Sequence, residues 1–153
     1  LNESKACLSV VPCVPISFSF NHCQKTRDNL VRMSHHELVP AIQNADYERF
    51  ATSIYEFNRL SGSYFSNFQD GCYRSSASHE VIQDLVDLGF EAVGQSSWGP
   101  CLFAVTQNEK VANTLVEELH KKSPDRYNNL ATKIIITEAC NSGATYNFSD
   151  SLS

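Results

Sequence analysis

Apolar residues recur at helical spacing through the middle of the chain. Between Asp46 and Gly62 they follow steps of three and four. The residues concerned are Tyr47, Phe50, Ala51, Ile54, Phe57 and Leu60. Such a stripe predicts an amphipathic helix over 47–61. Asp46 is suited to cap its first amides, and Gly62 to take a left-handed conformation just past its end.

Three further stretches have the same helical period. Residues 26–45 predict a helix interrupted before Pro40, because proline lacks an N–H and clashes with the preceding turn. Ser78 is the expected cap of a second helix, which Gly89 ends, and Asn108 the cap of a third. The inward positions are Leu30, Met33, Leu38, Ala41 and Ile42 in the first, Val81, Ile82, Leu85 and Leu88 in the second, and Val111, Ala112, Leu115, Val116 and Leu119 in the third.

Short apolar runs predict the strands. They cover 90–93, 101–105 and 133–137, and the alternation of Ile16 to Phe20 is compatible with one more. The order helix, helix, helix, strand, strand, helix, strand favours an α+β fold with helices packed on an antiparallel sheet. Its last part, α-β-β-α-β, is most of a ferredoxin-like unit.

Composition excludes several classes of function. The chain has 153 residues and a formal charge of -5, so no basic field attracts nucleic acid or anionic membranes. No apolar run approaches the roughly 20 residues that cross a bilayer. The six cysteines lack CxxC spacing, which favours free thiols in a cytoplasmic protein. A secreted disulfide domain remains an alternative, and zinc at Cys13, His22 and Cys23 is a weak one.

The segment from Gly94 to Pro100 is the best candidate for chemistry. Gly94 and Gly99 bracket Gln95, Ser96, Ser97 and Trp98. Glycines permit positive φ and close approach to a ligand, and consecutive amides in such a turn form an anion-binding nest. The segment is neither GxxxxGK[ST] nor GxGxxG. The alternative interpretation is a tight hairpin loop whose Trp98 packs on the core.

A family resemblance favours the first interpretation. The stretch Gly94–Ala104 resembles the third conserved motif of GHMP kinases, and more specifically the GQSSWGP form found in beta-ribofuranosylaminobenzene 5'-phosphate synthases. The resemblance covers about 26–146. Weaker matches, in chain order, are Leu38–Ile42 with Asp46 and Phe50, then Tyr55–Arg59, Gln69–Tyr73 and Ala139–Ala144. Asp70 and Cys101 depart from the family pattern, which has glycine and threonine there.

The resemblance implies a domain and a reaction. It implies a GHMP kinase C-terminal-like domain over 26–146, between a poorly defined segment 1–25 and a flexible tail 147–153. Such synthases join phosphoribosyl pyrophosphate to a 4-substituted benzoate, releasing pyrophosphate and carbon dioxide in methanopterin biosynthesis. It also implies a separate N-terminal domain, so the chain is expected to be an inactive fragment. Mg²⁺ would accompany the pyrophosphate, and no other cofactor or protein-bound metal is predicted.

The same resemblance suggests roles for individual residues. Ser96 and Ser97, with the backbone of 94–100, would contact a phosphate or carboxylate. Gln95 would orient a substrate oxygen, and Trp98 would flank the aromatic ring. Asn141 would support the loop, and Gln69 and Tyr73 are candidate pocket lining. No catalytic acid or base is identified, and a homodimer is left open.

Other polar residues of these segments favour surface positions. Asn58 and Arg59 fit a solvated helix face, and adjacent His35 and His36 point apart on a helix. Two other functions stay open. The chain could belong to an ATP-dependent GHMP small-molecule kinase, or it could be a non-catalytic ligand-binding module.

Overall fold

The computed structural model describes residues 23–69, 71–97, 99–128 and 133–139. Helix α1 is Cys23–Met33, followed by a π-helical turn Ser34–Leu38, and α2 is Val39–Gln43. The remaining elements are α3 Tyr47–Tyr64, α4 Ser76–Asp87, β1 Val93–Gln95, β2 Leu102–Ala104, α5 Glu109–Lys122 and α6 Pro124–Tyr127. No helix in this part of the chain is both long and apolar enough to cross a membrane. The alternation over 16–20, Asp70, Trp98, Asn141 and the tail lie outside these residues.

The α-helix is interrupted before Pro40, as predicted, since α1 ends at Met33 and α2 begins at Val39 with Pro40 in its first turn. Between them the chain widens into the π turn, where the amide of Val39 bonds to Ser34 O. A proline at position 40 cannot donate to the carbonyl one turn earlier, at His36. Arg49 of α3 takes that place, because its Nη2 lies 2.7 Å from His36 O. The same guanidinium pairs with Glu37 at 2.9 Å, which fixes the turn against α3.

The long helix α3 begins as predicted and ends later. Asp46 accepts a hydrogen bond from the Arg49 amide at 3.1 Å, which confirms the predicted cap. The expected left-handed Gly62 is wrong, because the helix continues to Tyr64 and Gly62 lies inside it. An ideal Cβ on Gly62 would stand 2.0 Å from the carbonyl oxygen of Cys72. Position 62 therefore requires glycine, because the backbone at Cys72 lies too close for a side chain.

Side-chain caps also set the start of α4 and α5. Ser75, and not Ser78, caps α4, since its hydroxyl accepts from the Ser78 amide at 3.2 Å. Gly89 has φ 85° just beyond that helix, as predicted. Asn108 caps α5 through a 3.0 Å bond from the Val111 amide, which confirms the expectation.

The sheet within the described residues has two antiparallel strands. Val93 pairs with Ala104, Gly94 with Phe103 and Gln95 with Leu102. Helices with an antiparallel sheet confirm the α+β class. The first strand is displaced from the predicted 90–93 to Val93–Gln95, so Gly94 and Gln95 belong to a strand and not to the predicted loop. The second is shorter than the predicted 101–105, and the third predicted strand is wrong. Residues 133–139 form no strand, because no sheet edge in the described part of the chain pairs with them; Ile134 packs on the core while Ile135 is 52% exposed.

The core lies between the sheet and α4, α5 and α6. Its members come from α4, β1, α5, α6 and the segment before α4. They are Tyr73, Ile82, Leu85, Val93, Leu115, Leu119 and Tyr127. A smaller cluster of Ala51, Ala92 and Val105 joins α3 to the sheet. The helical periods of α4 and α5 thus identified the inward faces correctly. Ile42 is an exception at 63% exposed, because Ala41 takes the inward position on α2.

A buried carboxylate links α4 to the chain after α5. Asp84 accepts a 2.8 Å hydrogen bond from the Tyr127 hydroxyl, and it pairs with Arg126 at 2.5 Å. Lys122 lies 3.3 Å away, and Arg126 also pairs with Glu80. Burial, and then the hydrogen bond to Asp84, raises the pKa of Tyr127 to about 12. Buried charges persist only when partners of this kind surround them.

We expect Gly62→Ala to destabilise the protein by about 2–4 kcal/mol, although alanine favours a helix by about 1 kcal/mol. The added methyl group meets Cys72 O, a backbone atom that cannot rotate away. Urea unfolding followed by circular dichroism measures the change. Ser63→Ala, on the exposed side of the same helix, is the control and should change stability by under about 0.5 kcal/mol. Equal stability of the two variants would contradict the close approach.

We expect stability to fall as pH rises from about 10 to about 12. Tyrosine in the unfolded chain loses its proton near pH 10, whereas Tyr127 holds it to about 12 in the folded state. The contribution is complete below pH 10 and declines by about 1.4 kcal/mol per pH unit above it. Unfolding curves measured at pH 9 and pH 11 give the loss of unfolding free energy between these pH values. This loss should be smaller in Tyr127→Phe than in wild type. If Tyr127→Phe lost as much stability between pH 9 and pH 11 as wild type, Tyr127 would not be the source of the pH dependence.

Candidate anion site at the turn between the strands

The candidate site is the connection between β1 and β2. The Ser96 amide donates to Cys101 O at 2.9 Å, and the Gly99 amide donates to Ser96 O at 2.9 Å. Ser97 and Gly99 both have positive φ, at 52° and 69°. A non-glycine residue in the left-handed region is uncommon and marks a backbone that its surroundings fix.

Asn58 of α3 holds the strand that leads into this turn. Its Nδ2 donates to Gln95 O at 2.8 Å, and its Oδ1 accepts from Gln95 N at 2.9 Å. Residues opposite each other in antiparallel strands alternate in hydrogen bonding, and Gln95 belongs to a pair whose backbone groups point away from β2. The carboxamide thereby replaces a neighbouring strand. The expectation of a solvated position is wrong for Asn58 and right for Arg59, which is exposed and paired with Glu56.

Gly94 makes room for that contact. An ideal Cβ on Gly94 would lie 2.5 Å from Cγ of Asn58. Glycine inside a strand often marks a close approach of this kind, so the sequence contained the signal. Asn58 itself could not be matched to Gly94 from spacing, because the two residues are far apart along the chain.

The side chain of Gln95 fixes the turn from within. It is 6% exposed, its Oε1 accepts from the Arg74 amide at 2.7 Å, and its Nε2 donates to Ser97 O at 3.1 Å. Both ends of the carboxamide are therefore bonded inside the protein. An ideal Cβ on Gly99 would lie 3.2 Å from the same group. Gln95 acts on the turn by positioning its backbone.

Ser96 and Ser97 present the free polar groups of the turn. Ser96 is half-buried and Ser97 is exposed, and neither hydroxyl has a hydrogen-bond partner among the described residues. Gly94 and Gly99 are buried and Pro100 is exposed. The turn thus offers hydroxyl donors on a backbone that Asn58 and Gln95 keep in place. Preorganised donors of this type suit a ligand that carries negative charge.

The other predicted lining residues have structural contacts. Gln69 Nε2 donates to the carbonyl oxygens of Gly62 and Gly71, each at 3.1 Å, which closes the turn after α3. Tyr73 is 3% exposed and belongs to the main core. Its hydroxyl has no hydrogen-bond partner in the described part of the chain. Burial, followed by the charge effect of nearby Tyr55, raises the pKa of Tyr73.

Metal ligands do not gather in the described residues, where no cluster of histidine, cysteine and carboxylate side chains occurs. Cys72 and Cys101 are free and half-buried, and His35 and His36 are exposed, as expected. A cavity of about 190 Å³ lies between α1 and the end of α3. Its lining consists of Thr26, Arg27, Leu30, Ser61, Tyr64 and Phe65, so the described residues of the turn, 94–97 and 99–100, do not border it.

We expect Asn58→Ala to lower the free energy of unfolding by about 2–3 kcal/mol. The change removes two hydrogen bonds of about 1 kcal/mol each and leaves the backbone groups of buried Gln95 without partners. Asn113→Ala, at an exposed position of α5, is the matched control and should be nearly neutral. Urea unfolding of both variants makes the comparison. Similar unfolding free energies for the two variants would show that the contact between Asn58 and the Gln95 backbone adds no stability.

The comparisons with known proteins bear on this domain as a whole. The model of one family, described as GHMP kinases C terminal, matches residues 38–125. That range is more than half of the chain and includes α3, α4, the sheet and α5. No curated protein and no solved structure matches the chain significantly. On the family match, the chain belongs to the GHMP kinase family and carries its C-terminal domain.

Proposed function

We propose that the chain is the C-terminal part of a transferase of the beta-ribofuranosylaminobenzene 5'-phosphate synthase type. The reaction would join the ribose of phosphoribosyl pyrophosphate to the ring carbon of a 4-substituted benzoate. Pyrophosphate and carbon dioxide would leave. This would be a cytoplasmic step of methanopterin biosynthesis, and it would use an N-terminal domain in addition to this one.

The turn from Gly94 to Pro100 carries the proposal. Its sequence resembles the synthase form of the third GHMP motif, and the hydroxyls of Ser96 and Ser97, which have no partner in the described residues, stand on a backbone that Asn58 fixes. As pyrophosphate leaves a ribose, negative charge grows on its oxygens while the sugar gains oxocarbenium character. Donors already in place lower the energy of that state, because they need not reorganise as the charge develops.

A second candidate is an ATP-dependent small-molecule kinase. The family match favours it, since the matched domain takes its description from GHMP kinases. The same turn would then face the phosphates of a nucleotide, and a hydroxyl of the substrate would attack the terminal phosphorus. The two reactions differ in their products, so one pair of assays separates them.

The test uses a protein that includes the coding sequence upstream of this chain. It is incubated with phosphoribosyl pyrophosphate and carboxyl-labelled 4-hydroxybenzoate or 4-aminobenzoate, with Mg²⁺ present. We expect release of labelled carbon dioxide that depends on phosphoribosyl pyrophosphate. A folded protein that releases no label would remove the synthase proposal. Substrate-dependent formation of ADP from ATP would establish the kinase instead.

Within that assay, we expect Ser96→Ala and Ser97→Ala each to cost about 1–3 kcal/mol in kcat/KM for phosphoribosyl pyrophosphate. The reason is the loss of a hydrogen bond to a charged group. Thr114→Ala on exposed α5 removes a comparable hydroxyl and serves as control. Both serine variants should unfold like wild type, since their hydroxyls have no partner in the described residues. Kinetics unchanged in both would end their assigned role.

A further inference from the structure

Arg74 is an exposed cation that lies beside the turn and has no carboxylate partner in the described part of the chain. Four of the other five arginines there do have one, and only Arg32 on α1 also lacks it among the described residues. Arg49 pairs with Glu37 at 2.9 Å, and Arg59 pairs with Glu56 at 3.2 Å. Arg126 pairs with Asp84 and Glu80. In a chain of net charge -5, an exposed arginine without an acidic partner among the described residues is available to an external anion.

Two contacts fix Arg74 relative to the turn. The Gln95 carboxamide accepts from the Arg74 amide and donates to Ser97 O, so the two residues lie on opposite sides of a single amide group. The side chain follows the turn as well. An ideal Cβ on Gly99 would be 3.3 Å from Cδ of Arg74, so the stem of the arginine lies against Gly99.

We propose that Arg74 supplies the charge of an anion site whose neutral donors are Ser96 and Ser97, and that its ligand is a phosphate or pyrophosphate group. The guanidinium presents its N–H groups as a fork that fits two phosphate oxygens, and the hydroxyls approach from the adjacent turn. Donors from different directions suit a tetrahedral group with several terminal oxygens better than a planar carboxylate with two.

This inference deepens the proposed function and rests on its assignment of the turn to an anion. It does not depend on which reaction follows. Phosphoribosyl pyrophosphate and ATP both carry linked phosphates, and Arg74 would bind that shared group in either case. A cation here would hold the leaving group in the synthase or the nucleotide in the kinase.

The experiment measures binding of pyrophosphate to the full chain by ³¹P NMR titration in low-salt buffer. We expect Arg74→Gln to weaken binding roughly tenfold or more, the usual effect of losing a charged hydrogen bond. The affinity of Arg74→Lys should lie between those of wild type and Arg74→Gln, because lysine keeps the charge and loses the forked N–H groups. Arg32→Gln is the matched control. Arg32 lies on α1 and, like Arg74, is exposed and has no carboxylate partner in the described residues. It should change the affinity less than about twofold.

The variants keep the fold because only the Arg74 backbone amide bonds to Gln95. Equal affinity of wild type and Arg74→Gln would overturn the proposal, as would an equal loss in Arg32→Gln or no binding by wild type. A parallel titration with 4-hydroxybenzoate would overturn it if that ligand, and not pyrophosphate, depended on Arg74. Pyrophosphate binding that depends on Arg74, without label release in the synthase assay, would retain this site and reject only the synthase.

Discussion

The pairing of the Asn58 carboxamide with the backbone of Gln95 is the contact on which the candidate site depends. It satisfies an amide and a carbonyl that face away from β2 and would otherwise be buried without partners. It also sets how closely α3 approaches β1, at a distance that only glycine at position 94 permits. A helix thus controls the strand end from which the turn departs. The position of the turn therefore depends on α3, because Asn58 holds the residue from which the turn begins.

Further hydrogen bonds connect that contact to the turn and to the segment before α4. Gln95, held by its backbone, uses its side chain to bind the Arg74 amide on one side and Ser97 O on the other. The segment before α4 and the turn after β1 are therefore joined through one carboxamide. Ser97 and Arg74, the two residues that this carboxamide joins, are both exposed.

The sequence predicted much of what local rules control, although the Ser78 cap and the left-handed Gly62 were wrong. The caps at Asp46 and Asn108 and the inward faces of α4 and α5 depend on neighbours within a few residues, and all were found. The run of isoleucines at 134–136 failed as a strand, because strand formation depends on a partner edge that sequence does not reveal. Asn58 was misjudged for the same reason: its role depends on Gly94, which only the tertiary structure brings close. Arg74 was overlooked, since a single arginine before a cap has no pattern of its own.

The hydrogen bond from Arg49 to His36 O makes two distant positions mutually dependent. Pro40 has no N–H to offer that carbonyl, so the guanidinium of α3 is its donor. Loss of Arg49 would leave this exposed carbonyl to water while position 40 is proline. A residue with an N–H at position 40 could supply the missing donor from within the helix. The part of the Arg49 contribution that comes from this bond therefore depends on what occupies position 40, whereas its pairing with Glu37 does not.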